Sequence, residues 1–251
     1  MTNNEAHTTP ESQAWAFHAE GRVVGAGRGW DWIVDAFALF RRQPGMWILI
    51  MVLAGILFAA ISVIPILGSL ASTLLFPIFG AGLMLGCKAL DQGGTLELAH
   101  LFAGFQHRTG DLVMVGVFNL VCGAIIAFAA AAVIGGGVFM AILHGGVTGA
   151  GISIASTLLA LLLVAALALP LSMAIWFAPA LIVLNELAPV AALKTSFHVC
   201  LRNWLPFLVY GVVLLVLCLV AAIPLGLGYL VLFPVLAASV YTAYRDIFRA
   251  G

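Results

Sequence analysis

The stretch Phe197–Gly211, FHVCLRNWLPFLVYG, changes character at its midpoint: His198, Arg202 and Asn203 fall in its first half, and its second half carries no charge. Upstream, Val190, Leu193, Phe197, Leu201 and Trp204 recur at helical spacing opposite Lys194, Thr195, His198 and Arg202. Downstream, the chain stays free of charge until Arg245. This pattern predicts an amphipathic helix lying in a membrane interface and leading straight into a helix that crosses the bilayer.

Composition extends that reading to the whole chain. Of 251 residues, 64% are hydrophobic and only 8% charged, with a mean hydropathy of +1.18. A water-facing surface needs far more charge, so a soluble domain is excluded and an all-α polytopic membrane protein is expected. The formal net charge of zero argues against nucleic acid as a partner. The expected partners are membrane lipids, with other membrane proteins or a second copy of the chain. Cys87, Cys122, Cys200 and Cys218 show no C-x-x-C spacing, so they read as small apolar fillers, with no metal and no cofactor implied. The opening MTNNEAHTTPESQAWAFHAE lacks the basic and apolar regions of a signal peptide. Residues 1–28 are expected to form a flexible cytoplasmic tail, and 29–251 a single transmembrane domain.

Charges divide that domain. They fall into islands at Glu5–Arg42, Lys88–Asp111, Glu186–Arg202 and Arg245–Arg249, separated by charge-free runs of 45, 74 and 42 residues. At about 20 residues per crossing, the first and third runs each hold two crossings. Each is halved by a turn signal, IPILG around Pro65 and IPLGLG around Pro224. The middle run has room for three crossings, but three would split the Lys and Arg residues between the two faces. Two crossings keep all ten on one side, which the positive-inside rule assigns to the cytoplasm together with both termini. Six transmembrane helices are therefore expected. The extra length falls in the glycine-rich Gly135–Gly151, GGGVFMAILHGGVTGAG, read as a re-entrant segment, a surface-lying segment or an extension of the helices.

The amphipathic pattern occurs before each run. Trp30, Ile33, Val34, Phe37 and Phe40 oppose Asp31, Asp35 and Arg42, while Leu98, Leu101, Phe102 and Phe105 oppose Glu97, His100 and His107. Trp30, Phe37, Phe40, Phe102, Phe105, Phe197 and Trp204 are the expected contacts with the membrane interface. The spacing predicts three repeats of interfacial helix plus transmembrane hairpin, at about 30–88, 95–186 and 189–248. From Phe37 it is 28 residues to Pro65 and 40 to Pro77, and from Phe197 it is 27 to Pro224 and 37 to Pro234. In the middle unit Pro179, in FAP, takes the place of the FP prolines Pro77 and Pro234. These three prolines are expected to kink the returning helices.

The segments GAGRGWDWIVDAFALFRRQPGMW and APALIVLNELAPVAALKTSFHVCLRNW resemble uncharacterised six-span inner-membrane proteins of proteobacteria. They are distantly similar to the YciC-type family and to the membrane domain that accompanies some glycerophosphodiester phosphodiesterases. The resemblance implies a topology and no mechanism.

Chemistry is sparse. No G-x-S-x-G, H-E-x-x-H or G-x-x-x-x-G-K-[ST] motif occurs, and GAGRG at Gly25–Gly29 lacks the spacing of a nucleotide loop. An enzyme is not expected. His100, His107 and Asp111 read as a solvated helix face. His144, the one ionisable side chain expected on the far face, is a candidate pH or metal contact or a polar residue at a helix end. Asn119 is the polar candidate within a span, where such groups usually join helices. No Asp, Glu, Lys or Arg lies inside the charge-free runs, unlike the pathway of an ion-coupled carrier. Two functional expectations remain, a non-catalytic scaffold or assembly partner and an uncoupled transporter or lipid-handling protein with a path between the repeats.

Overall fold

The computed structural model describes residues 17–249 apart from Ala19. Residues 1–16 of the expected tail, and the two C-terminal residues, lie outside the described residues. The regular structure is helical, with one isolated bridge between Phe17 and Arg249. Six helices are long and apolar enough to cross a membrane.

Local chemistry sets the boundaries. Helix α1, Arg28–Arg42, carries Asp31 in its first turn and Arg41 and Arg42 in its last, each sign matching the helix dipole. Pro44 then opens α2, Pro44–Ser62, where a missing N–H costs nothing. A turn containing Pro65 leads into α3, Leu67–Asp91. The next unit starts with a single turn, α4, Ala99–Phe102, continued as a 3-10 turn over Ala103–Phe105. Its long helices are α5, Thr109–His144, and α6, Gly146–Trp176, followed by the short α7, Ala178–Asn185. The last unit is α8, Pro189–Arg202, α9, Trp204–Ala222, and α10, Tyr229–Phe248. Pro224 lies in the turn between α9 and α10, as Pro65 does between α2 and α3.

The middle run holds two crossings, not three. Gly135–Gly151 is neither re-entrant nor surface-lying: it forms the end of α5 and the start of α6, with the reversal at Gly145 (φ +62). With 36 and 31 residues, α5 and α6 are about 54 and 46 Å long, against a hydrocarbon core of about 30 Å. The prolines differ in use. Pro77 and Pro234 lie inside helices. Pro179 instead occupies the first turn of α7, just after a break at Phe177, where proline is tolerated, and Pro170 is the proline inside the middle returning helix.

A short helix precedes each hairpin, α1 before α2 and α3, α4 before α5 and α6, and α8 before α9 and α10, and the short helices pack in a ring. Helix α1 packs on α10, α4 and its 3-10 turn pack on α3, and α8 packs on α6 and α7. Each short helix thus covers the returning helix of the unit before it, with the first covering the last. The core follows from this. Burial concentrates in α3 from Pro77 onward, in α7 and in α10 from Leu232 onward, together with inner faces of α1 and α8. The far halves of the hairpins expose long apolar faces, such as Phe128, Phe139, Ile142 and Val147 on α5 and α6.

Two close approaches hold the ring tight. A Cβ on Gly29 would lie 2.2 Å from the Pro206 carbonyl oxygen of α9, and one on Gly82 would lie 2.3 Å from that of His100. Only glycine lets these backbones touch.

Candidate functional site

The polar residues converge on one end of the bundle. Asp246, in the last turn of α10, has a side chain only 4% exposed. Its Oδ2 accepts hydrogen bonds from Trp32 Nε1 and Arg28 Nε, each at 2.8 Å, and its Oδ1 accepts from Arg22 Nη2 at 2.5 Å. The carboxylate beside Arg28 holds that guanidinium above its ordinary pKa. Next to it, Arg245 donates to Asp91 Oδ1 at 2.5 Å and to Asp35 Oδ2 at 3.2 Å, while the Tyr241 hydroxyl donates to Asp91 Oδ2 at 3.0 Å. Asn203, at the α8–α9 junction, accepts from the Val24 N–H at 2.8 Å and donates to the Arg22 carbonyl at 3.1 Å. Arg42 donates to the Leu90 carbonyl at 2.5 Å, Tyr244 bonds Asn185, and Arg108 donates to the Glu186 carbonyl at 2.6 Å.

These links tie both described ends of the chain and both inter-hairpin junctions to one another, so every hairpin returns to the side it left. The described residues of segment 17–27, which the sequence assigns to a flexible tail, belong to this layer. Its His18 and Arg22 N–H groups bond the Phe248 and Ile247 carbonyls, each at 2.9 Å, and Phe17 stacks on Phe248.

Such an arrangement anchors chains. A carboxylate whose oxygens are filled by two guanidiniums and an indole has little capacity left to accept a substrate proton. The same holds beneath it, where Ser196 Oγ donates to the Met173 carbonyl at 2.6 Å and accepts from the Phe177 N–H at 3.0 Å, stitching α8 across the α6–α7 break. Beside it, burial pushes the Cys200 thiol up to about 12.

The structure disperses the other singled-out groups. His100 Nδ1 accepts from the Glu97 N–H at 3.0 Å, His107 Nδ1 lies 3.0 Å from the Ala103 carbonyl, and Asp111 pairs with Arg108 at 2.6 Å. Each satisfies its own turn. His144 sits exposed at the α5 tip, its Nδ1 2.9 Å from the Met140 carbonyl. Asn119 is half-buried and its side chain has no hydrogen-bond partner among the described residues. No three His, Cys, Asp or Glu side chains group to hold a metal among the described residues.

The interfacial stripes divide between two neighbours. Trp30, Phe37, Phe102, Phe105 and Trp204 are exposed, and Phe197 is half-buried. Phe40, expected at the interface, is instead 6% exposed and packs in the core with Trp32, Ile33, Ala36 and Leu39. On α8 the inward face is Ala192, Ser196, Val199 and Cys200, small residues that allow close helix approach. Sequence reasoning missed Asp91 and Asp246 altogether. Their signal is positional: they stand 14 and 12 residues after Pro77 and Pro234, and each proline is followed 11 residues on by a cation, Lys88 or Arg245.

No family model matches the chain, and the comparison gives no support to the YciC-type or phosphodiesterase membrane-domain likeness. No solved structure matches it. A probable inner membrane protein of Burkholderia thailandensis is 30% identical over 226 residues, spanning 87% of this chain and 82% of the relative. That span takes in most of the helical bundle, and the chain belongs to the same family of multi-pass inner-membrane proteins.

Proposed function

We propose that this protein is a non-catalytic scaffold or assembly component, with its charged end in the cytoplasm and its apolar helix faces contacting lipid and other membrane proteins. The observation that carries this reading is the α5–α6 hairpin. It is longer than a bilayer is thick, its only charged-type side chain beyond Asp111 in the first turn is His144, and its outer half exposes Val138, Phe139, Ile142, Leu143 and Val147. An apolar arm of that size is stable only against another apolar surface, whether lipid or protein. The polar layer supports the same reading, since its groups are engaged with one another. Orientation rests on the ten Lys and Arg gathered at one end. Shortening α5 and α6 together by four turns at the tip should leave the anchored end folded and abundant, while a membrane protein that co-purifies with the intact chain is lost. Unchanged co-purification would overturn the scaffold reading.

A second reading, an uncoupled transporter or lipid-handling protein, is favoured by Asn119. A half-buried amide within a span, with no partner among the described residues, is a polar foothold on an otherwise apolar path. Lipid exchange between leaflets of reconstituted vesicles, abolished by Asn119→Leu, would favour this reading over the scaffold.

A further inference from the structure

Helix α8 differs from the other surface helices in its charge. Its sequence, PVAALKTSFHVCLR, contains no acidic residue. Lys194, His198 and Arg202 follow one another at four-residue steps, so they line one face of the helix, and all three are exposed. At the same end of the molecule Arg22, Arg28, Arg108 and Arg245 are each paired with a carboxylate. Lys194 and Arg202 make no ion pair with any described residue. His198 is turned back on its own helix, its Nδ1 2.8 Å from the Lys194 carbonyl. Glu186, three residues before the helix begins, is exposed and pairs with neither cation.

The surroundings of this stripe set its depth. Leu201 and Trp204 are exposed beside Arg202, and Trp204 is the first residue of α9, a membrane-spanning helix. Arg202 therefore stands at headgroup level, where indole rings favour the boundary. Leu205, Leu208 and Val212 continue the exposed apolar surface down α9. Two unpaired cations above an uncovered apolar track have the shape and charge order of one ligand, an anionic head on an acyl chain.

We propose that α8 and the start of α9 bind an anionic phospholipid, with Lys194 and Arg202 holding the phosphate-bearing headgroup and Leu205, Leu208 and Val212 lying along an acyl chain. The inference requires only that the charged end face a membrane surface. It is independent of the scaffold reading, because shortening the α5–α6 hairpin leaves α8 whole.

The test uses the full-length purified protein, delipidated in detergent and titrated with equal amounts of phosphatidylglycerol and phosphatidylcholine, with retained lipid counted by native mass spectrometry. Wild type should retain phosphatidylglycerol selectively. Each of Lys194→Gln and Arg202→Gln should weaken that selectivity about fivefold, the effect of roughly one surface charge, and the exchange Lys194→Arg with Arg202→Lys should preserve it. Arg41→Gln, which removes an exposed cation from α1, should change nothing. Inorganic phosphate should not displace the lipid; full displacement would show a bare phosphate site and overturn the acyl contact. A double Gln variant that melts like wild type and keeps full selectivity would overturn the proposal. So would undiminished lipid selectivity alongside the loss of a co-purifying acidic protein, which would assign the patch to that protein.

Discussion

The indole Nε1 of Trp32 donates a 2.8 Å hydrogen bond to Oδ2 of Asp246, joining the first described helix to the last across 214 residues of sequence. Around that bond the N-terminal segment, α1 and α10 become one unit. The carboxylate is buried while its arginine partners are nearly half exposed, so the anion depends on its partners more than they depend on it.

Asp246→Asn should therefore lower stability by about 2–4 kcal/mol, less than a fully buried pair would lose because water still reaches the guanidiniums. Trp32→Phe, which removes one neutral donor and keeps most of the ring contacts, should cost about 1–2 kcal/mol. Thermal unfolding in detergent, run as a double-mutant cycle, should show the two substitutions coupling. Strict additivity would mean that the bond contributes nothing.

Close packing of the ring makes a second expectation. Gly29→Ala and Gly82→Ala place a methyl group against backbone carbonyls that cannot move aside, and should cost about 1–3 kcal/mol or prevent folding. Gly135→Ala meets nothing within 4 Å and should be neutral or slightly stabilising, since alanine is the better helix former. Melting temperatures of the three variants check this.

Cys200 offers a pH test. Burial raises its thiol from an ordinary 9.0 to about 12, so the folded chain holds the proton after the unfolded chain has released it. Its contribution to stability is complete below pH 9 and is lost as pH rises toward 12. Maleimide should leave Cys200 unlabelled in folded protein at pH 8, and Cys200→Ala should flatten the decline in melting temperature above pH 9. Labelling at the rate of a free thiol would contradict the burial.

The aromatic residues of α8 and the start of α9 give a further contrast. Phe197→Asp with Trp204→Asp should reduce the amount of protein in the membrane, because each loses about 2 kcal/mol of apolar burial in the headgroup boundary. His100→Ala, His107→Ala and Asp111→Ala remove only turn-local bonds and one exposed ion pair, together worth about 1 kcal/mol or less. Abundance by quantitative blotting should fall in the first set and hold in the second.

Charge islands made the hairpins legible, because a bilayer excludes Lys, Arg, Asp and Glu and so forces them to the ends. The same logic counted two crossings in Leu112–Asn185 and located the turns at Pro65 and Pro224. Sequence periodicity could not say which side of α1 meets protein and which meets lipid, since both are apolar in a membrane. That is why the pattern puts Phe40 outside and passes over Trp32. Bonds such as Val24 to Asn203 or Trp32 to Asp246 leave no local trace, for they depend on how distant helix ends meet. Pro179 reads as a kink by analogy with Pro77 and Pro234, but the break at Phe177 comes first and leaves it in an opening turn.

Topology tests the central claim most directly. With all ten Lys and Arg gathered at one end and every hairpin returning to it, reporter fusions after Arg42, Asp111, Arg202 and Gly251 should all report the cytoplasm. Fusions near Pro65, Gly146 and Gly226 should report the opposite side. A periplasmic signal after Arg202, with a cytoplasmic one after Asp111, would mean an odd number of crossings between them and would contradict the architecture.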